Sequence, residues 1–221
     1  MIGKYQARET SDFAPDARAD KKVWNDADEI VLVDTVSGQE VTKKARSKMA
    51  WSQTGLYLLF VVEDDHIWGT YQKDDEPIYD EEVVEFFVGC GEKVPAEYFE
   101  FQFSPNGVRF DAKITNPTGN RHDPDFKVDV NWNAQNLKFH QKIENEKVVD
   151  DKCKKGTWIT EVFIPWSDLI WNIKAGQYLR ANFFRIDGYP KQSSFQAWQP
   201  TLQDPPNFHV PERFGLIELK D

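Results

Sequence analysis

Seven residues limit this chain more than any others. Leu56-Tyr-Leu-Leu-Phe-Val-Val62 is almost unbroken apolar sequence, bounded by Gly55 on one side and by Glu63-Asp64-Asp65 on the other. A short apolar run stopped at both ends reads as a central strand buried on both faces. Val83-Val-Glu-Phe-Phe-Val88 reads as a second strand. Between them lie Trp68, Tyr71 and Tyr79 among six carboxylates, Asp74 to Glu76 and Asp80 to Glu82. A loop that carries large rings beside carboxylates on a stiff two-strand base is built more like a recognition surface than a plain connection.

The rest of the chain repeats the theme of short strands and turns. Glu29 to Val33 and Thr42 to Trp51 read as strands. Glu97 to Ser104 alternates cleanly, with Phe99, Phe101 and Phe103 on one face and Tyr98, Glu100 and Gln102 on the other. Pro105-Asn106-Gly107 is a hairpin turn, because Asn-Gly reaches positive φ cheaply. Val108 to Ile114 returns as its partner, with Val108, Phe110 and Ala112 facing one way. Asn116 to Asp125 is loop. Phe126 to Val130, Leu137 to Ile143, Thr157 to Trp166, Tyr178 to Ile186 and Phe214 to Leu219 complete the strands. Ser167 and Asp168 are placed to cap a short helical turn. Gly188-Tyr-Pro190 breaks a strand, and four prolines stiffen the loop Gln199 to Arg213. About ten to twelve short strands with almost no amphipathic helix predict an all-β fold, an antiparallel β-sandwich. Residues 1–22 are polar and are expected as an N-terminal arm pairing loosely at a sheet edge. Residues 23–221 form a single domain.

Composition narrows the partners. The net charge is −10 and the isoelectric point near 5.0, which argues against nucleic acid, whose backbone needs clustered positive charge. A neutral ligand is unaffected by that argument. A mean hydropathy of −0.64 and the lack of a long apolar run argue against a membrane span. The N-terminus shows no apolar leader core, so the chain as written is expected to be cytoplasmic, or exported if a leader was removed. A monomer is expected. Cys90 and Cys153 do not sit at metal spacing and read as two reduced core thiols. The eight Trp exceed what one core usually absorbs, so some rings are expected at the surface.

The chain resembles the family 9 carbohydrate-binding modules, found attached to xylanases and as free-standing homologues. The resemblance runs from about Trp24 to Leu219. It rests on the order and spacing of Gly55-Leu-Tyr-Leu-Leu-Phe-Val-Val-Glu-Asp64, Pro77-Ile-Tyr-Asp-Glu-Glu-Val-Val-Glu-Phe-Phe-Val88, Tyr98-Phe-Glu-Phe-Gln-Phe-Ser-Pro-Asn-Gly107, Ile164-Pro-Trp166, Asn182-Phe-Phe-Arg-Ile-Asp187, Trp198 and Phe208-His-Val-Pro-Glu-Arg-Phe-Gly215. It implies a β-sandwich of the DOMON-like type that grips a sugar between two aromatic rings, with structural calcium in some members. Carried over by position, one ring falls at Tyr79, where the family usually has Trp, and its partner at Trp198. The acidic ligand falls at Glu85. Trp68 is a rival for the first ring.

Sugars present apolar C–H faces ringed by hydroxyls, so their sites combine flat aromatics with Asp, Glu, Asn, Gln or Arg. Each candidate also has a plainer reading. Trp198 and Trp68 read equally as packing rings, and Tyr79 as a loop anchor. Glu85 shares a face with Val83 and Phe87, so its charge needs a partner; Arg180 or Arg185 would supply one, or a ligand hydroxyl would. Glu100 sits on a polar strand face of an ordinary kind. Asn182 and Arg185 are further candidates on one strand, pointing to opposite faces. Asp64-Asp65 and Asp74-Asp75-Glu76 are the places for calcium, against solvated loop charge. His209 reads as a loop-fixing hydrogen bonder. The leading function is non-catalytic binding of a xylan- or cellulose-type oligo- or polysaccharide, in the service of carbohydrate catabolism. The alternatives are a glycoside hydrolase built on two carboxylates, a haem protein, for which Met49 is a poor axial ligand, and an interaction domain whose sugar site has decayed.

Overall fold

The computed structural model describes residues 2–150, 153–188 and 194–221; Tyr189 and Pro190 of the expected strand break lie outside that set. In chain order the strands are β1 (Lys4–Glu9), β2 (Ile30–Val31), β3 (Val33–Asp34), β4 (Ala45–Trp51), β5 (Gly55–Ile67), β6 (Val83–Cys90), β7 (Glu97–Phe103), β8 (Arg109–Thr115), β9 (Lys127–Asp129), β10 (Lys138–Val148), β11 (Lys154–Pro165), β12 (Tyr178–Asp187), β13 (Ser194–Ala197) and β14 (Gly215–Lys220). Two short helices, α1 (Lys22–Asp26) and α2 (Trp166–Leu169), interrupt them. The strands follow one path, β10-β11-β5-β4-β1-β14-β12-β6-β7-β8-β9, with β2, β3 and β13 attached beside it.

Two expectations are corrected by β1. The sheet is mixed rather than purely antiparallel, because β1 runs parallel to both β4 and β14. Tight turns impose antiparallel pairing only on strands they join, and β1 is distant in sequence from both neighbours. The N-terminal segment is therefore no loose arm at an edge. Its first part lies in the middle of the sheet, with Tyr5 and Ala7 buried.

The path curls so that two halves face each other across one core. Leu58, Phe60 and Val62 of β5 meet Phe86 and Val88 of β6, Phe101 and Phe103 of β7, and Phe183 of β12. Phe60 stands edge-on to Phe183 at 5.7 Å between ring centroids. The alternation of β7 sends all three of its phenylalanines inward. Each such ring removed from water contributes roughly 1.5–3 kcal/mol. The hairpin between β7 and β8 turns at Gly107, whose φ of 90° suits glycine.

Each half also has an outer face. Over β4, β5 and β11 the segment 10–28 lies as a cover, packing Phe13, Ala17 and Trp24 on Tyr57, Leu59 and Ile159. Beneath it Glu161 is fully buried. It accepts the backbone N–H of Asp16 (2.7 Å) and Ala17 (3.0 Å), the Lys21 ammonium and the Trp24 indole N–H (2.6 Å). Over β12, β6, β7 and β8 a second apolar cluster, including Phe87, Tyr98, Phe110, Phe184 and Phe208, is only partly roofed.

Smaller expectations also shift. Ser167 and Asp168 lie within α2 rather than capping it; Pro165 holds the cap position, and the Asp168 carboxylate instead accepts the backbone N–H of Asn136 at 2.7 Å. Cys153 is buried but Cys90, at the end of β6, is exposed, and the two are not joined in a disulfide. Met49 is sealed in the core.

Candidate functional site

The partly roofed outer face forms a cleft of about 450 Å³. Strand register explains its floor. Glu85 and Phe87 of β6 share a face; Glu85 pairs with Gln102, and Phe87 with Glu100. The Asn106-Gly107 hairpin then sets Phe110 of β8 opposite Gln102. Ile186 of β12 completes the floor. The walls come from loops and from β13: Phe208 and His209, Phe195, Arg121, Val128 and Val130, and Tyr79 with Asp80 on a single 3-10 turn. Tyr79 is 40% exposed and meets Phe110 edge-on at 5.6 Å.

The polar floor is buried and poor in donors. Glu85 is 2% exposed and Gln102 likewise. Among the described residues, no hydrogen bond or ion pair reaches the Glu85 carboxyl; burial first, then the neighbouring Glu100, pushes its pKa well above the ordinary carboxyl value. Glu100 accepts the Gln102 amide N–H at 2.5 Å. Burial raises its pKa to about 7, against the opposing pull of that bond and of Arg121. The Gln102 carbonyl oxygen is buried with no hydrogen-bond partner.

His209 closes one side. Asn116 donates to the Tyr98 oxygen at 3.4 Å, so the phenol is left to donate to His209 Nδ1, 3.0 Å away. The imidazole proton then sits on Nε2, 3.9 Å from Glu100. Burial, with Arg121 adding to it, drops the His209 pKa to about 3, so the ring is neutral at ordinary pH. Its backbone N–H is tied to Asn207, and its carbonyl accepts from Asn116. This is the loop-fixing role read from sequence, performed at the cleft itself.

The structure gathers only part of the expected residue set. Tyr79, Glu85 and Glu100 line one cleft. Trp198 does not join them. Its ring turns into the molecule against Tyr5 (6.4 Å) and Phe183 (6.2 Å), over Gly215, where a side chain would collide with it. The anticipated pairing of Tyr79 with Trp198 is thus not the one this fold makes; the aromatic surfaces near Tyr79 are Phe110, Phe195 and Phe208. Trp68 lines a separate crevice with Pro105 and Ile143. Asn182 is buried and committed to the backbone of Gln199, accepting its N–H and donating to its carbonyl, both at 2.9 Å. Neither arginine reaches Glu85. Arg180 donates to the carbonyls of Glu92 and Phe214. Arg185 points to the other side of β12, into a buried group with Asp64, Glu82 and Asp187.

That group anchors the acidic aromatic loop and bears on calcium. Asp64 lies between Arg185 and Lys43; burial alone would raise its pKa, and the two cations outweigh it to bring the value to about 2. Glu82 keeps its pKa well above the ordinary value through burial, despite Arg185. Glu81 accepts the backbone N–H of Thr70, and Glu76 those of Gln72 and Lys73. Asp74 accepts from Arg109. These oxygens already hold the loop together, and among the described residues no three metal-ligating side chains converge. In these two stretches Asp64, Asp74 and Glu76 already accept from groups of the chain itself.

Phe110, Gln102, Arg121 and Phe208 went unread in the sequence as site residues. For Phe110 and Gln102 the signal was present, because the Asn-Gly turn fixes the register that sets them beside Glu85. Arg121 and Phe208 arrive on loops, which carry no periodicity to read.

Comparison with known proteins gives a consistent picture. A family model described as carbohydrate-binding family 9 matches residues 29–219. An extracellular protein of Arthroderma benhamiae is 27% identical over 196 residues, spanning 83% of this chain and 82% of its own. A Bacteroides uniformis protein proposed to bind carbohydrate superposes with a TM-score of 0.78 at 16% identity, over the whole of both chains. A family 9 carbohydrate-binding module from Caldicellulosiruptor kristjanssonii, solved with cellotriose, gives 0.61 at 15% identity over 98% of this chain and 93% of that one. The glucose complex of a family 9 module from the same organism gives 0.59, also at 15% identity, over 98% and 95%. At these identities the superpositions show a shared fold.

Proposed function

This chain belongs to carbohydrate-binding family 9, and we propose that the cleft on the outer face of β6, β7 and β8 is where it takes a short stretch of a cellulose- or xylan-type saccharide. The observation that carries the reading is the floor: buried oxygens of Glu85 and Gln102 that receive no donor from the described residues, beside Glu100, which receives one from Gln102, all framed by Phe110, Phe208 and Tyr79. Hydroxyl groups supply donors, and the apolar faces of a pyranose suit the aromatic frame. The volume falls in the range of small-ligand sites. Family 9 modules from Caldicellulosiruptor kristjanssonii are solved with cellotriose and with glucose, which fits the same ligand class.

The reading is of binding without chemistry. A glycosidase needs one carboxyl held as acid and another ionised, their pKa values pushed apart by different surroundings. Glu85 and Glu100 share one surrounding, and burial raises both. Calorimetric titration with cellotriose, xylotriose and glucose tests the proposal. Saturable heat is expected, weakened by Tyr79→Ala, with no release of reducing ends on prolonged incubation. Absence of heat for all three sugars would overturn it.

A further inference from the structure

Once its two carboxyls are ionised, the cleft floor offers acceptors almost alone, which points beyond a neutral sugar. Glu85 and Gln102 each expose only 2% of their surface, and both aim into the cleft. No donor from the described residues reaches the Glu85 carboxyl, and the Gln102 carbonyl oxygen is equally unserved. Glu100 has a single amide N–H from Gln102. A hydroxyl brings one donor together with acceptors of its own, whereas an ammonium brings three donors and no acceptor. The ammonium is the better complement to such a floor, and the aromatic rings around it add cation–π attraction.

The other outer face of this same molecule shows what a buried carboxylate is given when the chain itself supplies the cover. Glu161, on the outward side of β11, receives two backbone N–H groups, an indole N–H and the Lys21 ammonium. Glu85, on the outward side of β6, is as deeply buried and, among the described residues, has no counterpart to Lys21. The net charge of −10 favours a cationic ligand at long range as well.

We propose that the cleft is selective for a saccharide carrying a protonated amine, an aminohexose unit, whose ammonium takes the place between Glu85 and Glu100 that Lys21 takes at Glu161. This deepens the saccharide-binding reading and rests on it. Binding then draws protons off the carboxyl pair, because the arriving cation favours the ionised form. The groups facing the pair are Gln102 and Tyr98 on β7, Tyr79 and Asp80 on the 3-10 turn, neutral His209, and Arg121 at the mouth. Arg121 is exposed and leaves the floor to the ligand.

Three β-1,4 trimers that differ only in the group on C2 decide the matter. Cellotriose carries a hydroxyl, the glucosamine trimer an ammonium, and the N-acetylglucosamine trimer a neutral amide. Titration calorimetry at about pH 6 keeps the amine charged. The glucosamine trimer is expected to bind at least tenfold tighter than cellotriose. Its heat should change between buffers of different ionisation enthalpy, reporting proton release, while the cellotriose heat should not. In Glu85→Gln, checked for folding by its melting transition, the affinity ratio of the two trimers should collapse toward one. Cellotriose binding as tightly as the glucosamine trimer, or an unchanged ratio in Glu85→Gln, overturns the amine proposal and leaves the neutral-saccharide reading standing. If no trimer binds, both fall together.

Discussion

The two outer faces of this sandwich set the same problem and solve it differently. Each buries a glutamate among apolar neighbours, Glu161 on β11 and Glu85 on β6. Over Glu161 the chain folds its own segment 10–28 and supplies every donor the carboxylate needs. Over Glu85 the described residues build walls and supply no donor. An unserved buried carboxyl costs stability, typically a few kcal/mol even with its proton retained. A covered face of this kind is structure, and the partly roofed one with the same kind of group is where the proposed binding is placed.

The contrast is open to measurement. The largest expected effect is that of Glu161→Gln, which takes from Lys21, 12% exposed at its side chain, its buried partner, leaves it only the half-exposed Asp16, and loosens the cover. Breaking such a pair costs about 3–5 kcal/mol, read from urea unfolding, with faster tryptic cleavage near Arg18 and Lys21. An unchanged midpoint would mean that the cover stays without its anchor and the comparison fails. Next is pH. Glu100 has a folded pKa of about 7, raised from 4.5. The folded state therefore holds the proton longer than the unfolded chain, so this group's contribution is full below pH 4.5 and is lost as pH rises to 7 and beyond. At about 1.4 kcal/mol per unit, the loss reaches roughly 3–4 kcal/mol above pH 7. Asp64 acts in the opposite sense, its contribution lost as pH falls from 3.8 toward about 2. Glu100→Gln should flatten the decline between pH 5 and 8; a persisting slope would assign it elsewhere.

Glu85→Gln should invert the sign seen at Glu161. Removing an unserved acid is expected to raise stability by about 1 kcal/mol while weakening saccharide binding. Destabilisation would show that Glu85 is a structural partner after all. The smallest effect belongs to Tyr79→Ala. At 40% exposure it should leave the midpoint within about 0.5 kcal/mol and cost binding about 1 kcal/mol, some fivefold. Equal loss of stability and affinity would make Tyr79 a wall of the fold and not of the cleft.

Much of the architecture was legible because alternation is a direct imprint of a half-buried strand. The division of β7 into Phe99, Phe101 and Phe103 against Tyr98, Glu100 and Gln102 is reproduced in the structure, and the Asn-Gly turn gave the hairpin. What stayed hidden was long-range assembly. Lys4 to Glu9 has only Tyr5 and Ala7 to mark it as buried; its place comes from backbone pairing with distant strands, which leaves no residue pattern. Trp198 takes its packing reading and not its platform one, although its sequence neighbours Gln196 and Gln199 look surface-like. Those amides are occupied by the chain itself, Gln196 donating to the Lys43 carbonyl and Gln199 accepting the backbone N–H of Gly3. Arg185 was offered to the wrong acid, since nothing local says that Asp64 and Glu82 will arrive first.

One consequence of the central position of β1 concerns the making of the molecule. Lys4 pairs with Leu216 and Arg8 with Lys220. Until β14 has been made, β1 has only its short pairing with β4, Arg8 with Ala50 and Glu9 with Trp51. Such distant partners favour slow acquisition of the native state. Pulse-labelled hydrogen exchange during refolding should find the amides of β1 and β14 among the last to gain protection, after the β7–β8 hairpin.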